Sequence, residues 1–104
     1  MPTVFILTKL KKGVDQDRYE QWVKEYDYPM CKKHFKSVTF YRAYKAVGES
    51  KGNVPYDFVE HLDVTSFEEY KRDGETPEFQ ELIRQWGEFL ESEEAILIYT
   101  EPIE

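Results

Sequence analysis

A carboxylate in the middle of an apolar strand suits proton transfer. Glu60 holds such a position, with Val59 before it and Leu62 two residues on. Its side chain leaves water whichever face it takes. Arg42 and Tyr44 on the preceding strand are its expected cross-strand neighbours, because the short loop between Val47 and Tyr56 favours antiparallel pairing. Apolar surroundings push a carboxyl pKa up, toward values useful near neutral pH, and a close guanidinium pulls it back down. On the functional reading Glu60 is a general acid/base and Arg42 its partner or an oxyanion stabiliser. The alternative is a structural ion pair bridging two strands. Glu60→Gln separates them: a rate loss of roughly 10²–10⁴ in the first case, or ~3 kcal/mol of stability in the second, with Arg42 left unpaired.

Other side chains carry weaker signals. Tyr44 is either a ligand-facing phenol or an ordinary strand aromatic. His34 and His61 are the two residues whose unperturbed pKa lies near 7. His34 follows the first helix near the expected pocket mouth, as a candidate catalyst or a solvated loop histidine. Cys31 and His34 have metal-compatible spacing if helical, but no carboxylate or second histidine joins them locally, so no metal is expected. Nothing identifies a base beside Cys31. Tyr19, Trp22, Tyr26, Phe79 and Trp86 recur at helical spacing, either as an aromatic cage for a flat heteroaromatic ligand or as core. Trp22 and Trp86 read mostly as core. The Gly48–Gly52 loop has no helix after it and is no phosphate cradle. With no dinucleotide or flavin fingerprint, no cofactor is expected.

These residues need elements to hold them. Thr3 to Leu10 reads as a strand closed by Lys11-Lys12-Gly13. Asp15 or Asp17 caps a helix whose apolar stripe is Tyr19, Trp22, Val23 and Tyr26. Asp27-Tyr28-Pro29 bends or breaks it, since proline disfavours helical geometry in the residue before it, and Cys31 to Lys36 becomes an irregular turn. Ser37 to Val47 and Tyr56 to Val64 form two strands of a hairpin. Ser66-Phe67-Glu68-Glu69 has the capping-box form. Gly74 interrupts that helix and Thr76-Pro77 restarts it. Ala95 to Thr100 is the fourth strand.

The order β-α-β-β-α-β is the ferredoxin-like arrangement, an α+β fold with a four-stranded antiparallel sheet and two helices on one face. At 104 residues the chain is one domain spanning 1–104. Eight Tyr, seven Phe and two Trp exclude a disordered polar tail. A net charge of −7 with scattered basic residues argues against nucleic acid and anionic membranes, which need a concentrated cationic footprint. One cysteine excludes an internal disulfide framework. The apolar start is too short for a signal peptide and no stretch approaches a membrane span, so a cytoplasmic protein is expected. Strands one and four are apolar on both faces, as Val4 and Ile6 alternate with Phe5 and Leu7. Two helices cover one face only. The cheapest cover for the other is a second copy, so a homodimer packed back to back is expected.

The strand Val4-Phe5-Ile6-Leu7-Thr8-Lys9-Leu10-Lys11, the Asp27-Tyr28-Pro29 break and the start Thr76-Pro77-Glu78-Phe79-Gln80 resemble the dimeric α+β barrel superfamily. With Tyr56-Asp57-Phe58-Val59-Glu60, Gln85-Trp86-Gly87-Glu88-Phe89 and Tyr99-Thr100-Glu101-Pro102-Ile103, the chain is most similar to the RedY-like HapK family. The resemblance implies prodiginine-type pigment biosynthesis, in the bipyrrole branch, where a cofactor-free protein assists a dehydration or cyclisation. It also implies a pocket between sheet and helices. By that similarity Val4, Ile6, Thr8, Val38, Phe40, Arg42, Tyr44, Phe58, Glu60 and Leu62 face the ligand. Phe5, Leu7, Lys9, Tyr41, Val59, His61 and Asp63 face the partner. A one-residue slip exchanges the two sets. Two further functions compete with the aromatic or pyrrolic proton-transfer enzyme: a cofactor-free oxygenase and a non-catalytic carrier dimer. Turnover without oxygen excludes the oxygenase, and binding without turnover favours the carrier.

Overall fold

A computed structural model describes residues 2–104. Four strands, β1 (Thr3–Thr8), β2 (Val38–Lys45), β3 (Phe58–Val64) and β4 (Ile96–Thr100), form one antiparallel sheet in the order β2-β3-β1-β4. The helices are α1 (Gln16–Trp22), α2 (Tyr28–His34), α3 (Phe67–Gly74) and α4 (Pro77–Phe89). This is the ferredoxin-like fold expected from the element order. The helix starts are set by side chains that satisfy otherwise orphaned N–H groups. Asp15 accepts from the Asp17 N–H, Ser66 from Glu69 and Thr76 from Phe79, the last with Pro77 at the first helical position.

On the helix side Val4, Ile6 and Thr8 of β1 and Phe58, Glu60 and Leu62 of β3 are buried. One apolar cluster gathers Val4, Tyr19, Phe58, Leu62 and Trp86, and a second holds Cys31, Phe35 and Leu82. The opposite face is uncovered in the protomer, with Phe40 43% and Ile98 42% exposed.

Two local departures matter for the site. Of the bend or break expected at Asp27-Tyr28-Pro29, the break does not occur, and the expected turn at Cys31 to Lys36 is mostly helix. A π-helical turn (Val23–Asp27) joins α1 directly to α2. Pro29 has no N–H, and its ring would meet the Glu25 carbonyl in a regular α-helix. The wider turn, in which the Tyr28 N–H reaches the Val23 carbonyl, accommodates the ring and keeps the helix continuous.

The second departure lies in β2. Val38 pairs with Val64, yet Phe40 pairs with Asp63, so one extra residue is inserted between them. This bulge reverses which face each later β2 residue takes. From there Tyr41 pairs with Leu62 and Ala43 with Glu60.

Candidate active site

The bulge overturns the expected neighbours of Glu60. Arg42 pairs with His61, not Glu60, and lies exposed on the uncovered face together with Phe40 and Tyr44. Arg42 is therefore neither a salt-bridge partner nor an oxyanion stabiliser for Glu60, and Phe40 and Tyr44 do not line the cavity that Glu60 borders. Phe40 instead flanks His61, at 5.0 Å between ring centroids, with Phe5 on the other side at 5.1 Å. Tyr41, expected to face the partner, points under the helices.

Ala43 and Ile6 are the direct neighbours of Glu60 on the two adjoining strands. Neither offers a polar group, and the small Ala43 leaves room for the diagonal neighbour Tyr41 to reach across. The Tyr41 hydroxyl lies 2.6 Å from Glu60 Oε1 and 2.5 Å from Asp27 Oδ2. Asp27 is carried inward by the last residue of the π-helical turn and is 2% exposed. Its Oδ1 accepts from the Cys31 thiol at 3.8 Å. Tyr28 steadies the arrangement. Its ring meets Tyr41 edge-on, and its hydroxyl accepts the Ala43 N–H at 2.9 Å, covering part of the β2 edge.

Burial dominates the electrostatics. Desolvation, then the Asp27 charge, pushes the Glu60 pKa up to about 8, while the Tyr41 hydrogen bond works the other way. Asp27 is pushed up to about 6, again by desolvation, offset by Tyr41 and Cys31. The Trp86 indole is close enough to lower the Glu60 pKa somewhat, but no hydrogen bond of ordinary geometry joins them. Glu60 Oε2 is buried without a partner. Burial also holds the Tyr41, Tyr19 and Tyr70 phenols and the Cys31 thiol protonated.

Asp27, Tyr41 and Glu60 stand on the wall of a cavity of about 760 Å³ between the sheet and the helices. That is ample for a drug-sized ligand, for which pockets run roughly 300–1,000 Å³. The remaining wall is mainly aromatic and aliphatic, including Phe35, Phe67, Tyr70, Phe79 and Trp86, with Leu97 and Tyr99 of β4. Lys71 of α3 and Glu75, just past its end, also border it.

Of the other residues singled out in the sequence, Cys31, Phe79 and Trp86 line this cavity, and Tyr19, Trp22, Tyr26, Phe58 and His34 do not. Tyr19 and Phe58 pack on each other in the core, with ring centroids 4.6 Å apart. Trp22 stacks between Tyr19 and Tyr26, and its indole N–H donates to Gln85 Oε1 at 2.8 Å. Tyr26 packs beside Cys31 and Phe35. These rings are core because the apolar face of α1 turns onto the sheet, away from the cavity. His34 closes α2, half-buried, outside the lining. Asp27 and Tyr41 were missed. Asp27 had one visible signal, an acid at the end of an apolar helical stripe.

The family described as REDY-like protein HapK matches residues 2–103. The crystal structure of HapK from Hahella chejuensis is 25% identical, with a TM-score of 0.83 over 99% of this chain and 93% of that one. A hydroxynitrile lyase from Passiflora edulis shares the fold at 10% identity, with a TM-score of 0.79 over 99% and 94% of the two chains. A dimeric ferredoxin-like protein from Thermobifida fusca is 16% identical, with a TM-score of 0.72 over 97% and 90%. Among curated proteins none matches. No helix among the described residues is long and apolar enough to cross a membrane.

Proposed function

The chain belongs to the REDY-like HapK family, and from that premise we propose a cofactor-independent proton-transfer enzyme of prodiginine-type pigment biosynthesis, assisting dehydration or cyclisation of a bipyrrole precursor. The observation that carries this reading is a carboxyl group, 4% exposed, on the wall of a large and mainly apolar cavity. A carboxyl that keeps its proton near neutral pH serves as a general acid. The aromatic walls suit a flat heteroaromatic substrate. Glu60 protonates the departing hydroxyl group, and Phe79, Trp86 and Tyr70 hold the rings beside it. The uncovered sheet face, with Phe40, Ile96 and Ile98 exposed, is the surface through which two copies pair.

The test is turnover of a synthetic bipyrrole precursor by the purified protein under anaerobic conditions, with Glu60→Gln alongside. Dehydration without oxygen, reduced roughly 10²–10⁴-fold by the substitution, supports the reading. A product formed only in oxygen favours the oxygenase, and tight binding without turnover favours the carrier; either result overturns it.

A further inference from the structure

Two carboxyls meet at a single hydroxyl in this cavity. Tyr41 Oη lies within hydrogen-bond distance of both Asp27 Oδ2 and Glu60 Oε1. A phenol has one proton to donate. If both carboxylates were ionised, one contact would set lone pair against lone pair, so one carboxyl must bring a second proton. The remaining contacts say which. Asp27 already accepts from two donors, Tyr41 and the Cys31 thiol. Glu60 has its one hydrogen-bond contact with Tyr41, the Trp86 indole lying near but outside ordinary hydrogen-bond geometry, and its Oε2 is buried without a partner among the described residues. A bare carbonyl oxygen on a neutral carboxyl costs far less than an unpaired oxygen on a buried anion.

We propose that Asp27, Tyr41 and Glu60 share one proton that rests on Glu60, with Asp27, acting through the Tyr41 hydroxyl, as the positioning residue that keeps it there. The directions in which burial and charge shift the two carboxyls agree with this order. Facing Glu60 from the packed elements are Tyr19 of α1, Cys31 of α2, Tyr41 of β2, Tyr70 of α3 and Trp86 of α4, besides Asp27. All but Asp27 are neutral near pH 7, because burial keeps the phenols and the thiol protonated.

The catalytic consequence rests on reading Glu60 as the acid/base. Moving the Glu60 proton to Tyr41, and the Tyr41 proton to Asp27, leaves Glu60 ionised and Asp27 neutral with no change in total charge. Glu60 therefore serves as acid in one arrangement and base in the other, without water entering. In an elimination the ionised Glu60 takes a carbon-bound proton, and the C–H electron pair becomes the new double bond. The C–O bond breaks with its pair, and Glu60 returns the proton to the leaving hydroxide as water.

Infrared spectroscopy of the full chain without substrate tests the proton count. A protonated-carboxyl stretch is expected at pH 7 and should vanish in Glu60→Gln. Asp27→Asn removes the neighbouring charge and should move the band's titration midpoint down by about one pH unit or more. Tyr41→Phe removes the acceptor of the Glu60 proton and should move the band to higher frequency, toward that of a carboxyl without a hydrogen bond. Absence of the band at pH 7, or a midpoint unmoved by Asp27→Asn, overturns the proposal. If Asp27→Asn does not fold, Tyr41→Phe decides alone: a band moved to higher frequency supports the shared proton, and an unmoved band overturns it. No substrate enters, so failure to turn over a pyrrolic precursor leaves this result standing and sinks only the functional reading.

Discussion

Replacing Glu60 by glutamine should flatten the pH dependence of stability and make the protein more stable than its parent at alkaline pH. An unfolded glutamate gives up its proton near 4.5, whereas the folded chain holds it to about 8. Between those values folding takes up a proton, so stability falls as pH rises, by about 1.4 kcal/mol per pH unit for one such group. Stability from this group is complete below the unfolded value and is lost as pH climbs through the folded one. Asp27 behaves the same way in a lower window, between 3.8 and about 6. From pH 6 to 8 the parent should therefore lose roughly 2–3 kcal/mol through Glu60. At roughly 4–8 °C of melting temperature per kcal/mol for a domain of this size, the fall is on the order of 10 °C.

Glutamine keeps the shape and has nothing to ionise, and no basic side chain pairs with Glu60 among the described residues. The two proteins should melt alike below about pH 4.5, where the glutamate is neutral folded and unfolded, and diverge above it, with Glu60→Gln already roughly 2 kcal/mol the more stable at pH 6. Melting curves at fixed ionic strength and fixed protein concentration measure this, concentration being held because an assembly's melting point depends on it. Parallel curves from pH 6 to 8, or a glutamine variant less stable throughout, would refute the argument. A fold that carries such a cost is retaining a perturbed acid where packing alone prefers an apolar residue.

Arg42→Gln should leave that pH dependence unchanged, since Arg42 sits across the sheet from Glu60; a flattened profile would restore the ion pair. Leu7→Asp puts a charge on the uncovered face and should reduce the mass by light scattering from dimer to monomer; an unchanged mass would move the interface elsewhere. Cys31, 6% exposed with its thiol pushed up by burial, should react with a thiol reagent only after denaturation. Rapid labelling of the native chain would contradict its burial.

The strands, the three side-chain caps and the acid at position 60 were legible because each depends on a local pattern. A run of β-branched and aliphatic residues marked β1, and Glu60 stood out as a charge where apolar residues flank it. The phase of β2 was not legible. Phe40 and Tyr44 on one face and Tyr41 with Ala43 on the other are nearly equal in apolar character, so nothing in the composition betrays an extra residue at the Val38/Phe40 shift. The continuity of the first helix was hidden for a related reason. Pro29 signals a break under α-helical geometry, and only a wider turn removes the clash.

The two irregularities share one consequence. The bulge adds a residue to an edge strand, and the π-helical turn adds one to a helix. Each rotates the side chains that follow or end it relative to a regular element. In β2 the rotation brings Tyr41 under the helices in place of Phe40 and Arg42. In the helix it brings Asp27 to the same point, 2.5 Å from the Tyr41 hydroxyl. Straightening β2 would take Tyr41 from Glu60, and straightening the helix would take Asp27 from Tyr41. The polar part of the site thus comes from the places where the regular pattern of the fold is broken, and a reading that assumes unbroken periods finds the acid and misses its partners.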